Sequence, residues 1–170
     1  RLVMLGDNDD YEFHRLFATT ALPDRVYRCI VDLGCGFGKS TSPLKQKHPQ
    51  AEVIGIDLSA PCLRLAVRRA NARGLRIQFR QAGATATGLE SGSADLVTST
   101  MLLHELPIDI LPGLFDEAAR LLTPGGTLRF LDFHYTGDEF RDLAMTEHGT
   151  RNNEPYLAPM MAADIGAMAR

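Results

Sequence analysis

The chain reads as an α/β domain: an open, mostly parallel twisted sheet with helices on both faces. Three observations predict this. Short apolar runs alternate with longer helical stretches between Cys29 and Phe133. Several of those runs are apolar on both faces, as a strand buried between two helical layers must be. A glycine-spaced turn, VDLGCGFGKST (Val31 to Thr41), joins the first run to the first helical stretch. Strand–helix repeats linked by right-handed crossovers close into a parallel sheet.

Asp10 to Ala21 reads as a leading helix outside the core, within a leading helical segment over residues 1–27. The strand candidates follow: Cys29 to Leu33, Glu52 to Asp57, Arg76 to Gln81, Ala94 to Ser99 and Thr127 to Phe133. Ser40 to Lys47 is the helix after the first loop. Ser59 caps the next, with Pro61 in its first turn and Leu63, Ala66, Val67 and Ala70 at helical spacing. Asp109 to Leu122 carries Leu111, Leu114, Phe115, Ala118 and Leu122 at the same spacing, and TPGG (Thr123 to Gly126) stops it. After Phe133 the pattern changes. Thr136 to Asn153 is polar and mixed, Pro155 and Pro159 follow, and Met160 to Arg170 is a final helical stretch. No run after Phe133 reads as a sixth strand.

With 170 residues, 45% of them hydrophobic, the chain is one domain that can bury an ordinary core. A net charge of −3 gives no footprint for a nucleic-acid backbone. Arg64, Arg68, Arg69 and Arg73 gather on one helix, where a solvated face accounts for them. Cys29, Cys35 and Cys62 form neither an even-numbered framework nor a CxxC, which fits a reducing, cytoplasmic setting without structural zinc. No apolar run reaches the roughly 18 residues of a membrane span, and no signal peptide is visible. Because the first residue is Arg1 rather than Met, a targeting segment upstream stays open.

The glycine loop decides the ligand. A phosphate-cradling P-loop needs a glycine five residues before Gly38, where Leu33 stands. A dinucleotide loop needs G-x-G-x-x-G, and its third glycine, which packs the helix on the strand, would fall on Lys39. Gly34, Gly36 and Gly38 let the backbone turn sharply and approach a ligand closely. N–H groups at the helix start can receive a carboxylate, and Asp32 can accept from a cationic amine.

VDLGCGFG resembles motif I of the class I S-adenosylmethionine-dependent methyltransferases. VIGIDLS (Val53 to Ser59) looks like that family's second strand, SGSADLVTSTMLLHELP (Ser91 to Pro107) like its fourth strand and following loop, and EAARLLTPGGTLRFLD (Glu117 to Asp132) like its helix and fifth strand. The likeness covers about Arg28 to His134, and the small-molecule branch of quinone-pathway enzymes is nearest in kind. It implies a Rossmann-like fold, S-adenosylmethionine as cofactor and methyl transfer to a small-molecule acceptor. Asp57 would take the ribose hydroxyls and Leu58 would cover one adenine face. Thr100 at the end of the fourth strand joins the cofactor set, as do Gly83, Ala84 and Thr85.

Two departures stand out. The family's adenine-binding aspartate falls on or near Gly83, within QAGATATG, so the backbone of Ala84 or the Thr85 hydroxyl would have to serve. The family's last two strands have no counterpart in this chain. No N/D-P-P-Y stretch follows the fourth strand, where the residues are STML, which argues against an amino-group methyltransferase acting on DNA or protein glutamine.

For a general base, alternation along the fifth strand puts Phe130, Asp132 and His134 on one side, making His134 the first candidate and His104 the reserve. Residues 135–170 would cover the acceptor side. Asn152, Asn153 and Glu154 read as a turn or as acceptor contacts, and Phe13, Phe17, Tyr135 and Tyr156 as packing or as a pocket lining. The rival readings are a non-catalytic S-adenosylmethionine-binding protein and a nicotinamide-dependent oxidoreductase.

Overall fold

The computed structural model describes residues 11–169. Five strands form one sheet: β1 (Cys29–Leu33), β2 (Glu52–Asp57), β3 (Gln78–Gln81), β4 (Ala94–Thr100) and β5 (Leu122–Leu131). Their order is β3-β2-β1-β4-β5, and every adjacent pair is parallel. Order reverses between β1 and β4, so the crevice at their carboxyl ends is the topological switch point, where open α/β sheets take ligands.

The helices are α1 (Tyr11–Thr19), α2 (Thr41–Lys47), α3 (Ala60–Ala72), α4 (Leu111–Leu121), α5 (Glu139–Asn152), α6 (Leu157–Ala162) and α7 (Ile165–Met168). Right-handed crossovers place α2 and α3 on one face and α4 on the other. Strand alternation sorts the core accordingly. Ile30, Val53 and Leu96 pack with Ala18 of α1 and Leu44 of α2. Val31, Leu33, Ile54, Ile56 and Val97 pack with Leu111, Leu114 and Leu121 of α4 and with Leu157 and Met160 of α6.

Several elements differ from the sequence reading. The leading helix is seen from Tyr11 to Thr19; Asp10, like the rest of residues 1–10, lies outside the described residues, as does the side chain of Phe13. β5 begins at Leu122, so TPGG lies within the strand. The register jumps there from Ala94 beside Leu122 to Leu96 beside Thr127, a bulge that absorbs the glycines. β5 ends at Leu131, so the alternation expected to carry on to His134 stops short of it. Thr136 to Asn153 is mostly helix α5. Asp138 caps it by accepting from the Arg141 N–H at 2.9 Å, and Asn153 ends it with a left-handed φ of 57°. The last helical stretch is broken at Ala163 and Asp164 into α6 and α7, and Arg170 lies outside the described residues.

No helix among the described residues is long and apolar enough to cross a membrane. The β3-to-β4 connection carries no helix. Glu117 of α4 holds it instead: Oε1 accepts from the Thr87 N–H at 2.9 Å and from the Thr87 hydroxyl at 2.5 Å. Arg120 donates to Glu117 Oε2 at 2.7 Å and to the Leu89 carbonyl at 2.9 Å. The Arg120 bonds, reinforced by those from Thr87, pull the Glu117 carboxyl down to about 2 against the opposing effect of burial.

Candidate functional site

The glycine loop leaves β1 at the switch point. The Cys35 N–H donates to the Ile56 carbonyl at 2.9 Å and the Gly36 N–H to Asp57 Oδ2 at 2.7 Å, which ties the loop to the end of β2. Asp57 Oδ1 accepts from the Ser59 N–H at 2.8 Å, so one carboxylate anchors both the loop and the turn into α3. Two N–H groups leave a carboxylate with acceptor capacity to spare, since it offers about four lone-pair sites.

The three motif glycines have different jobs. All have positive φ. A Cβ on Gly34 would lie 2.7 Å from Leu102 Cδ1, and one on Gly38 would lie 3.2 Å from the Ala66 Cβ and 3.3 Å from the Phe79 ring. Both are spent on close packing, Gly38 against α3 and β3. A Cβ on Gly36 meets nothing within 4 Å. Gly36 is therefore the loop residue that faces open space. Cys35 is buried at the position a Cβ on Gly55 would contact, a packing role.

Asp32 lies under the loop and is fully buried. Its Oδ2 accepts from the Ser40 and Thr41 hydroxyls at 2.7 and 2.6 Å. Oδ1 is buried and finds no hydrogen-bond partner among the described residues. Burial pushes this carboxyl up to about 6, against the pull of the two hydroxyls and of the Arg129 charge, with the Asp57 charge adding to the rise. An orphaned, buried, ionisable oxygen calls for a cationic or hydrogen-bond-donating partner.

Beside Asp57, Leu58 is 70% exposed. Its Cδ2 lies 3.9 Å from where a Gly83 Cβ would stand, and the Thr85 hydroxyl lies 4.0 Å from the same point. The Ala86 N–H donates to the Gly83 carbonyl at 3.1 Å, closing a tight turn around partly buried Ala84 and exposed Thr85. Leu58, Gly83, Ala84 and Thr85 thus share one rim of the crevice. Thr100, expected to touch the cofactor, uses its hydroxyl to accept from Arg129 at 3.1 Å.

At the far side of the crevice the register Thr100 beside Leu131 brings the segments after β4 and β5 to one corner. Met101 takes a positive φ of 63°, a strained conformation for a non-glycine residue, and turns the chain into the short 3-10 turn Leu103–Glu105. His104 in that turn is 4% exposed. Its Nδ1 lies 2.6 Å from Asp132 Oδ1, and Asp132 also accepts from the Leu103 N–H at 2.7 Å and the Phe133 N–H at 2.8 Å. Burial alone would lower the His104 pKa. The Asp132 bond and charge, then Glu105 and Glu154, outweigh it and raise the value. Phe133 packs edge-on to His104 at 5.0 Å, and His148 of α5 lies 6.2 Å from Phe133, so α5 roofs this corner.

His134 is exposed, beyond the end of β5, and the structure does not bring it to this pairing. Asp132 is the partner that sequence reasoning missed. Nothing local signals it, because the pairing depends on the β4–β5 register. Glu154 lies between α5 and α6 with Oε2 buried and without a hydrogen-bond partner among the described residues.

Residues 30–126 match a family described as the methyltransferase domain. This chain belongs to that family. Among its relatives, the demethylmenaquinone methyltransferase of Thermus thermophilus is 35% identical over 130 residues, covering 76% of this chain and 58% of that protein. The trans-aconitate 2-methyltransferase of Deinococcus radiodurans is 40% identical over 108 residues, covering 63% of this chain and 38% of that one. The crystal structure of a geranyl diphosphate C-methyltransferase from Streptomyces coelicolor, in complex with Mg2+, geranyl diphosphate and S-adenosyl-L-homocysteine, superposes with a TM-score of 0.56 at 26% identity, over 69% of this chain and 41% of that one. The chain thus spans about two fifths to three fifths of the length of these proteins. In this methyltransferase domain the glycine loop, Asp57 and the Gly83 turn all fall within the matched residues, as does His104. Asp132 falls just beyond them.

Proposed function

We propose that this methyltransferase domain binds S-adenosylmethionine at the β1–β4 switch point and transfers its methyl group to a small-molecule acceptor. The observation that carries this reading is the pairing of an open Gly36 face with the orphaned Oδ1 of buried Asp32 beneath the same loop. A zwitterionic, phosphate-free ligand satisfies both. The open face at Gly36 admits its carboxylate end and Asp32 meets its ammonium. Asp57 keeps free lone pairs for ribose hydroxyls, and exposed Leu58 supplies an apolar face for adenine. The relatives, named for methylation of demethylmenaquinone and of trans-aconitate, support a small acceptor. Three cysteines without disulfides suit a reducing, cytoplasmic setting.

The bound sulfonium supplies an electrophilic methyl without a metal. The rest is done by the chain: it positions the acceptor, excludes water and accepts a proton where the acceptor needs to lose one. His104 is the residue we assign to that proton, in preference to exposed His134. Asp132 holds its Nδ1 side, which leaves Nε2 as the accepting atom. α5 and the turn at Asn153 and Glu154 form the cover of the acceptor corner.

Calorimetry with S-adenosylhomocysteine and with NAD, paired with mass detection of methylated product from candidate acceptors, tests the reading. Binding of the first, not the second, and a product heavier by a single CH2, a methyl gained for a proton lost, are expected. One observation favours binding without turnover: Gly83 stands where a carboxylate for adenine is expected. Tight binding with no product from any acceptor would favour that second reading.

A further inference from the structure

β5 carries a buried arginine where a parallel strand covered by helices calls for an apolar residue. Arg129 is 7% exposed. Its position follows from the strand registers: Asp32 pairs with Thr98, and Thr98 with Arg129. Residues paired across parallel strands share a face, so Asp32, Thr98 and Arg129 form one row on the α1 and α2 side of the sheet. With strands about 4.8 Å apart, the row sets the two backbones about 10 Å from each other, within reach of an arginine leaning inward. Its Nη1 donates to the Thr98 hydroxyl at 3.4 Å and to the Thr100 hydroxyl at 3.1 Å. Nε donates to the Thr20 carbonyl at 3.1 Å, and Nη2 to the Phe17 carbonyl. Arg129 therefore caps the end of α1 from within the sheet.

Capping alone does not require a permanent charge in the core, because neutral donors serve helix carbonyls as well. A buried charge needs a counter-charge. The carboxylate that acts on Arg129 is Asp32. Two charges act on Asp32 in turn, Asp57 at the end of β2 raising its pKa and Arg129 lowering it. The other groups facing it are the Ser40 and Thr41 hydroxyls at the start of α2 and the Cys35 thiol of the loop, which burial keeps protonated.

We propose that Arg129 is a positioning residue of the cofactor site: it is the buried counter-charge that keeps Asp32 a carboxylate for the ligand's ammonium group. The proposal rests on the ligand reading given above for Asp32. It adds a residue on the second strand over, with no contact to the ligand, that sets the pH range in which the site is competent.

The test follows the Asp32 carboxyl by carbon-13 NMR titration in the ligand-free chain, alongside S-adenosylhomocysteine affinity at the same pH values. In Arg129→Met the midpoint of Asp32 should move up by about one unit, the size of a neighbouring opposite charge. The acid limb of the affinity profile should move with it. Arg129→Lys should restore most of the shift. Arg129→Gln, which keeps an N–H donor for the α1 carbonyls, should behave like Met and serves if Arg129→Met does not fold. An Asp32 midpoint unchanged in the neutral variants would overturn the proposal and leave Arg129 as a helix cap. A midpoint that shifts while wild-type affinity stays flat across the same window would instead overturn the ammonium reading of Asp32, and with it the ligand half of the proposal.

Discussion

His104 and Asp132 sit at the ends of neighbouring strands and meet at 2.6 Å, buried, with the Asp132 carboxylate further held by the N–H groups of Leu103 and Phe133. The carboxylate orients the ring and raises its pKa against the effect of burial. As general base, His104 should lower turnover by roughly 10²–10⁴-fold when replaced by Gln, with cofactor affinity unchanged. Near-normal turnover in His104→Gln would leave positioning as the whole mechanism.

Asp132→Asn tests the sign of that shift. A histidine whose folded pKa is raised above the unfolded value stabilises the fold fully below about pH 6.5, and the contribution is lost as pH rises through the folded pKa. The gap in unfolding free energy between wild type and Asp132→Asn should be wider at pH 6 than at pH 8 in urea titrations. The acid limb of the rate profile should move to lower pH. A gap independent of pH would mean that the pair is held together by hydrogen bonding alone.

Asp57→Ala removes the acceptor for the Gly36 and Ser59 N–H groups as well as the contacts proposed for the ligand. Charge-assisted bonds contribute about 1.5–3 kcal/mol, so S-adenosylhomocysteine affinity should fall by roughly 10- to 100-fold. Calorimetry reads this directly, and an unchanged dissociation constant would remove Asp57 from the site.

Gly83→Asp is a gain-of-affinity test. A side chain there meets only ordinary contacts, Leu58 Cδ2 at 3.9 Å and the Thr85 hydroxyl at 4.0 Å. A carboxylate in that place should tighten cofactor binding by about tenfold through the adenine amino group. Weaker binding by a folded variant would show that the adenine edge lies elsewhere.

Glu117→Gln loosens the connection that carries Gly83 to Thr85. The Glu117 pKa is lowered, so its contribution is present above the unfolded value and is lost as pH falls toward about 2. The variant should unfold more easily than wild type at pH 7 and show a smaller deficit near pH 3. Hydrogen exchange around Thr87 and Leu89 should quicken. An equal deficit at both pH values would assign the effect to packing rather than charge.

The parallel sheet was legible because both-face apolar runs and the glycine loop are local patterns. Its five strands fall close to where the alternation puts them. Helix α5 was also locally written, in the Asp138 cap, the acidic first turn of Glu139 and Asp142, and Arg151 near its end, but its polar composition masked these signals. What no local pattern holds is register. The bulge over TPGG, the early end of β5, the His104–Asp132 pair and the Asp32–Thr98–Arg129 row all depend on which residue of one strand stands beside which residue of another. Gly38 shows the same limit: three spaced glycines look alike in sequence, yet only Gly36 faces open space.

The two halves of the crevice lean on opposite faces of one sheet. The floor of the glycine loop is set on the α1 and α2 side, whereas the His104 corner is buttressed by α4 and α6. The α4 layer also reaches the cofactor half, because Glu117 holds Thr87 and with it the turn that carries Gly83 to Thr85. Changes in α6, which packs against the turn carrying His104, can reshape that corner while Asp32 and the floor of the glycine loop, set on the opposite face, keep their geometry. The domain is in this respect a fixed socket with an exchangeable tool holder, and variation in its acceptor range is expected to concentrate on one side of the sheet.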